Sequence, residues 1–145
     1  MRLLILSCSA TKAEHPDRAI DLYDGPSFRT LRAWQRGATD AERQELAVWI
    51  LSAEHGLIPW DEWVEPYDRR MTRERAAEVR KDVEMTLAWL VPELAPAEVF
   101  LMLGETYMSA VPAEPFGSAN VIRAPGGIGE KLGALRRWLS RQEAA

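Results

Sequence analysis

Polar residues that can do chemistry follow two short apolar runs, at residues 3–6 and 46–51. The candidates after the first run are Ser7, Cys8, Ser9 and Lys12. The candidates after the second run are Ser52, Glu54 and His55, and Gly56 follows them in the sequence. Short, continuous apolar runs are typical of strands buried on both faces of a parallel sheet. Open α/β sheets bind ligands beyond the carboxyl ends of such strands, so we predict that the two polar segments converge on one pocket.

The first polar segment has two chemical interpretations. Backbone N–H groups beside small side chains can receive a phosphate or a carbonyl oxygen, and Lys12 adds a positive charge. Alternatively, Cys8 is a nucleophile, which requires a base such as His15 or His55 to form the thiolate. Buried free cysteines are more often inert, and the segment lacks the glycines of a nucleotide-binding loop.

Carboxylates supply the candidate acid–base chemistry. Glu54 follows the second strand, and Asp68 follows Pro66 and Tyr67 in a loop. Burial would raise the pKa of such a carboxyl and equip it for proton transfer. In the simpler interpretation, Glu54 pairs with an arginine and His55 caps the loop. Two histidines and one cysteine make a metal site improbable, so we predict no metal and no cofactor.

Aromatic side chains beside these carboxylates fit a nucleobase or nucleotide ligand, since rings stack on a base and carboxylates bind its edge or stabilise a cationic sugar. The stacking candidates are Tyr23, Phe28, Trp60, Trp63 and Tyr67. We expect at least half of them to be core instead. Gly126, Gly127 and Gly129 precede or begin a helix, where they either seat an anion or form a simple turn.

Composition restricts the class of protein. The 145 residues suit a single α/β domain over 1–145, and no apolar run is long enough to span a membrane. A net charge of −4 argues against a surface that is basic throughout but allows a local basic groove. One cysteine excludes an internal disulfide and predicts a cytoplasmic location. We make no prediction of the oligomeric state.

The order of elements predicts a three-layer α/β sandwich around a mostly parallel sheet of about four strands. The predicted strands are 3–6, 46–51, 99–103 and, more weakly, 120–123. Helices are predicted from Pro26 to Gly37, after Thr72, briefly after Gly104, and at the end of the chain. Residues 58–70 are predicted to be a functional loop, and 141–145 to fray. The tryptophans expected in the core are Trp34, Trp49, Trp89 and Trp138.

Five blocks together resemble an uncharacterised family of small bacterial and phage proteins that often carry a peroxide-stress-protein-like label. They are Ser7-Cys8-Ser9 with Lys12, Leu22-Tyr23 with Ser27-Phe28, Leu-Ser-Ala-Glu-His-Gly-Leu at 51–57, Pro66-Tyr67-Asp68, and Gly127-Ile128-Gly129. The first block is also similar to the start of a domain in archaeosine synthases, which act on a deazaguanine base in transfer RNA. The resemblance implies a Rossmann-like fold and a nucleobase or nucleotide site that includes Ser52, Tyr67 and Asp68. Glu54-His55 stands where many relatives have Lys-Tyr.

The leading functional hypothesis is an enzyme that acts on a nucleobase or its N-glycosidic bond in nucleotide, DNA or RNA, as in base repair or modification. Asp68 or Glu54 is then the catalytic carboxylate, with His55 beside it, and Tyr23 or Tyr67 stacks on the base. The alternative is a non-catalytic module that binds nucleotide or nucleic acid in stress or phage defence. A third hypothesis is a thiol-dependent enzyme that uses Cys8. No membrane partner is expected.

Overall fold

A five-stranded, mostly parallel sheet forms the centre of the molecule in the computed structural model, which describes residues 1–10 and 12–141. The strands, in chain order, are β1 Arg2–Ser7, β2 Asp17–Arg18, β3 Leu46–Ser52, β4 Gly56–Pro59, β5 Trp63–Val64, β6 Glu98–Met102 and β7 Asn120–Arg123. The central sheet has the order β4-β3-β1-β6-β7, while β2 and β5 form a separate antiparallel pair. The fully buried β1 lies in the middle and pairs in parallel with β3 and β6. The four predicted strands are therefore confirmed.

The fifth strand of the sheet, β4, was not predicted. It folds back antiparallel on β3 and forms one edge of the sheet, so the predicted loop 58–70 contains the end of β4 and all of β5. Gly56 makes the tight return possible because its φ of 73° lies in the left-handed region that glycine adopts without strain. Proline is tolerated at strand edges, which is why Pro59 can end β4.

The helices lie between the strands. They are α1 Ala19–Leu22, α2 Pro26–Gly37, α3 Asp40–Gln44, α4 Arg73–Leu94, α5 Glu105–Met108 and α6 Ile128–Leu139. Helix α2 begins at Pro26, where the missing N–H costs nothing, and α4 begins after Thr72, whose hydroxyl accepts a hydrogen bond from the Arg75 N–H at 3.0 Å. None of the helices in the described ranges is long and apolar enough to cross a bilayer.

Helices cover both faces of the sheet. Trp138 of α6 packs on Phe100 of β6 with the ring centroids 5.1 Å apart, and Trp89 of α4 packs on Trp49 of β3 at 5.8 Å. Phe100 pairs with Leu4 and Trp49 pairs with the next residue of β1. Because successive side chains in a strand point to opposite faces, α6 and α4 lie on opposite faces.

The tryptophan predictions have mixed outcomes. Trp138 is buried, and Trp34 and Trp49 are half-buried against the core. The prediction for Trp89 is wrong, since 57% of this side chain is exposed and only its edge-on contact with Trp49 holds it. The predicted frayed tail lies outside the described residues apart from Arg141, which forms an ion pair with Glu45. Thr11, within the first polar segment, also lies outside them.

Candidate functional site

A cavity of about 660 Å³ opens at the carboxyl ends of β1 and β6. Its walls are the segment after β1 (residues 8–10 and Lys12), the segment before α4 (residues 68–71) and the turn after β6 (residues 104–107). The chain leaves β1 towards β3 on one side and leaves β6 towards β7 on the other. The strand order therefore reverses between β1 and β6, which is where open α/β sheets bind ligands.

The two polar segments adjoin as predicted, because β1 and β3 are neighbours. The Cys8 N–H donates to the Leu51 carbonyl at 2.9 Å, and the Ala53 N–H donates to Cys8 Sγ at 3.5 Å. The prediction that they share one pocket needs a correction, however. Residues 52–56 do not line the cavity, and the wall beside Cys8 is formed by the turn after β6.

Ser52 anchors its own turn. The side chain has no exposed surface, and its Oγ accepts hydrogen bonds from the N–H groups of Glu54 and His55, both at 3.1 Å. The same Oγ lies 2.7 Å from the Tyr67 hydroxyl, which lies 2.6 Å from the Tyr23 hydroxyl. Tyr23 is also fully buried. The predicted ligand contact of Ser52 and the predicted stacking role of Tyr23 are therefore excluded in this arrangement, since neither side chain reaches the surface.

Lys12 covers the ring of Tyr67. Its Nζ lies 4.5 Å from the centroid of that ring and 5.9 Å from the ring centroid of Tyr23. Such cation–π contacts hold the lysine ammonium group in position and leave its positive charge unneutralised. The His55 ring meets Tyr67 edge-on at 5.4 Å. Tyr67 does not line the cavity, so it is better explained as the platform that positions Lys12 there.

Asp68 is the one predicted catalytic residue that lines the cavity. It is exposed and has no hydrogen bond or ion pair to any residue that the structure describes. Glu54 does not line the cavity but pairs at 3.5 Å with Arg69, which does, as the simpler interpretation predicted, and Arg75 donates to the Glu54 backbone carbonyl at 3.0 Å. His55 is exposed and does not line the cavity.

Three of the polar cavity residues that the sequence analysis missed bear on the chemistry of the site. Tyr107 places its hydroxyl 3.2 Å from Cys8 Sγ, Arg70 is exposed without a partner among the described residues, and Glu105 lies at the rim. Glu105 and Tyr107 follow the apolar run 99–103, which is the pattern that identified the other two strand ends. Arg70 lies two positions after the Pro66-Tyr67-Asp68 block. The apolar run before Glu105 and Tyr107, and the position of Arg70 close to Asp68, could therefore have identified these residues.

The glycine turn before α6 lies in a neighbouring cavity of about 460 Å³, which Gly126 lines together with Arg123 and Lys131. Gly127 caps α6 and Gly129 is in its first turn, and neither lines this cavity or the one between β1 and β6. The Glu130 carboxylate occupies the space that a side chain on Gly126 would take. A carboxylate at this helix N-terminus opposes a second anion. The prediction of an anion seated on the glycines is therefore not supported.

Burial raises the pKa of all three tyrosines, Tyr23, Tyr67 and Tyr107, above the ordinary value of 10.0. The folded state favours the neutral phenols, so the free energy of unfolding keeps its full value below about pH 10 and falls as the pH rises above it. We expect no phenolate absorbance from the folded protein at about pH 10 and a cooperative appearance of phenolate as it unfolds. The guanidinium-unfolded chain is the control. Three phenols that titrate at about pH 10 while circular dichroism stays native would contradict this expectation.

The comparisons with known proteins give a family and a fold but no activity. The family described as "Family of unknown function (DUF6884)" matches residues 3–141. No curated protein matches the sequence. A crystal structure of AF0587, a protein of unknown function, is similar with a TM-score of 0.57 and 14% sequence identity. The similarity covers 99% of this chain and 46% of that one, so the present chain spans about half the length of AF0587. At this identity the likeness concerns the fold alone.

Proposed function

The chain belongs to the DUF6884 family, and we propose that it is a nucleotide- or nucleobase-directed enzyme built on a Rossmann-like three-layer sandwich. Helices on both faces of a mostly parallel sheet support this fold assignment. The observation that carries the functional proposal is the presence of two exposed charged side chains, Asp68 and Arg70, at the cavity between β1 and β6, neither of which has a partner among the described residues. Open α/β sheets generally bind their ligands at this position.

The phosphate of the ligand is assigned to Arg70 and Lys12. A guanidinium presents a planar fork of donors that matches phosphate oxygens, and an ammonium adds a mobile point charge. Both side chains line the cavity, and Lys12 is already held over the Tyr67 ring. Binding therefore costs little reorganisation of the lysine.

The base is assigned to the inner part of the cavity, beside Cys8 and Tyr107. Cys8 is buried and Tyr107 is half-buried, so this part offers an apolar surface with one thiol and one phenol for hydrogen bonds. Mixed surfaces of this kind are typical of small-molecule sites.

The proposed reaction is hydrolysis of the N-glycosidic bond. Asp68 accepts a proton from water, the hydroxide oxygen bonds to the anomeric carbon, and the carbon–nitrogen bond breaks with its electron pair going to the base. The departing base takes up one proton, which Asp68 releases directly or through solvent, so the products are the free base and the sugar hydroxyl and the carboxylate is regenerated. A carboxylate at this position also stabilises positive charge that develops on the sugar.

A non-catalytic binding module is the alternative, and one observation favours it. Asp68 and Glu105, the carboxylates that line the cavity, are both exposed, and Glu105 is paired with Arg123 at 2.7 Å. Catalytic carboxylates are more often desolvated. In this alternative the cavity senses or stores a nucleotide in stress or phage defence.

The thiol-dependent alternative has less support. His15 and His55, the two candidate bases, are both exposed, and neither lines the cavity. Among the described residues, the hydrogen-bond partners of Cys8 Sγ are the Tyr107 hydroxyl and the Ala53 N–H. An amide N–H cannot accept a proton from a thiol. Burial and the contact with Cys8 raise the pKa of Tyr107, so this residue stays a neutral phenol and is not a base either.

Calorimetric titration with nucleoside 5′-monophosphates tests the assignment of the phosphate. We expect the Arg70→Ala protein to bind them about tenfold more weakly than the wild type, since it loses charged hydrogen bonds. Arg80→Ala is the matched control, because Arg80 is exposed on α4, away from the cavity. Equal affinities of wild type and Arg70→Ala, or no binding by the wild type, would contradict the proposal.

A further inference from the structure

The cavity between β1 and β6 adjoins the cavity at β7. Both are lined by Gly104 and Glu105, and their volumes are about 660 and 460 Å³. Together they form one groove along the carboxyl ends of β1, β6 and β7. The first cavity alone already lies within the range of about 300–1,000 Å³ that serves a drug-sized ligand. The second therefore provides room beyond that needed for one nucleotide.

The groove carries unpaired cations although the protein is acidic. Five cations line it, against the carboxylates of Asp68 and Glu105, while the whole chain carries a net charge of −4. The cations are Lys12, Arg69, Arg70, Arg123 and Lys131. Arg69 pairs with Glu54 and Glu78, and Glu130 lies against Gly126 of the second cavity. Among the described residues, Lys12, Arg70 and Lys131 have no carboxylate partner, and such cations spaced along a groove match a ligand with repeated negative charges.

The cations of the second cavity are held in place by weak or neutral partners. Lys131 Nζ donates to the Ala124 carbonyl at 2.8 Å and so keeps its full charge. Arg123 pairs with Glu105, whose side chain is 86% exposed. Exposed ion pairs contribute little, so a phosphate can replace Glu105 as the partner of Arg123.

We propose that this groove binds a single-stranded nucleic acid, with one nucleotide in the first cavity and a neighbouring phosphate beside Arg123 and Lys131. The inference rests on the proposed function and names its substrate class as a polynucleotide strand. A single strand is required because Cys8 and Tyr107 lie at the buried end of the first cavity, which a base can reach only after it has left a helical stack.

The experiment compares the affinities for a nucleoside 5′-monophosphate, single-stranded DNA and RNA of about eight nucleotides, and the same sequence as a duplex. We expect the wild type to bind a single strand at least tenfold more tightly than the mononucleotide, and more tightly than the duplex. Comparing the affinities for single-stranded DNA and single-stranded RNA shows whether the groove prefers deoxyribose or ribose. In Lys131→Gln, the affinity for the single strand should fall about fivefold and its salt slope by about 0.7, with the mononucleotide affinity unchanged.

Lys81→Gln is the matched control, because Lys81 is exposed on α4 and does not line the groove. Arg123→Gln is a second variant, and its affinity for the single strand and its salt slope should fall as in Lys131→Gln. The comparison of the three ligands on the wild type does not depend on either variant. Equal binding of mononucleotide and single strand, tighter binding of the duplex, or an unchanged salt slope in both variants would overturn the inference. If one of these results is found but the protein still binds the mononucleotide, and Arg70→Ala weakens that binding, the proposed function stands without the extended groove. If neither ligand binds, both proposals fail.

Discussion

Replacing Asp68 with asparagine is expected to reduce the release of free base by about 10²–10⁴-fold, the usual contribution of a positioned proton acceptor. Asparagine keeps the shape of the side chain but can neither accept the proton from water nor stabilise a cationic sugar. The affinity for nucleotide should stay the same or rise, because the substitution removes a negative charge near Arg70. Chromatographic measurement of base released from nucleosides, nucleotides and modified oligonucleotides gives the rate, and calorimetry gives the affinity.

Asp82→Asn is the control for this experiment. Asp82 is exposed on α4 and does not line the cavity, so its substitution makes the same chemical change at a distance. Base release that is unaffected by Asp68→Asn would remove this residue from the mechanism. If the wild type releases no base and Asp68→Asn changes only the affinity, the protein is a binding module, which is the alternative proposed above.

Replacing Ser52 with alanine is expected to lower the free energy of unfolding by about 2 kcal/mol, because buried donors lose their acceptor. The N–H groups of Glu54 and His55 and the hydroxyl of Tyr67 all share Ser52 Oγ. Chemical denaturation of the two proteins measures the difference.

The outcome also separates two roles for this residue. A ligand contact would lose affinity without losing stability, whereas the anchor of a turn loses stability. Ser118→Ala is the control, since Ser118 is exposed in a loop and its substitution should change the free energy of unfolding by less than about 0.5 kcal/mol. A free energy of unfolding for Ser52→Ala that equals the wild-type value would refute the role as an anchor.

Most elements of the fold could be predicted because they depend on local patterns. The buried strands are continuous apolar runs, and the helix starts at Pro26 and Thr72 carry local capping signals. Strand β4 was missed because a strand ending at Pro59 reads as a loop, and only its pairing with β3 defines it. Trp89 was misplaced because its exposure depends on the neighbours of α4 and not on its own hydrophobicity.

The candidate site could be predicted only in part. The rule that ligands bind beyond strand ends identified the segment from Cys8 to Lys12, and Asp68 was found as a carboxylate beside an aromatic ring. The surroundings of Ser52, Tyr23 and Glu54 could not be predicted, because each is defined by its partner. Those partners are backbone N–H groups, Tyr67 and Arg69.

The sequence by itself determined which segments become buried strands and that polar residues stand at their carboxyl ends, since both follow from the order of apolar and polar residues. Only the tertiary structure decided that the ends of β1 and β6, and not those of β1 and β3, enclose the cavity. The physical reason is that a cavity forms where the chain departs in opposite directions from adjacent strands, and adjacency is a property of pairing across the sheet. The same holds for charge, because cations that are far apart in the sequence line adjoining cavities only when three strand ends lie side by side.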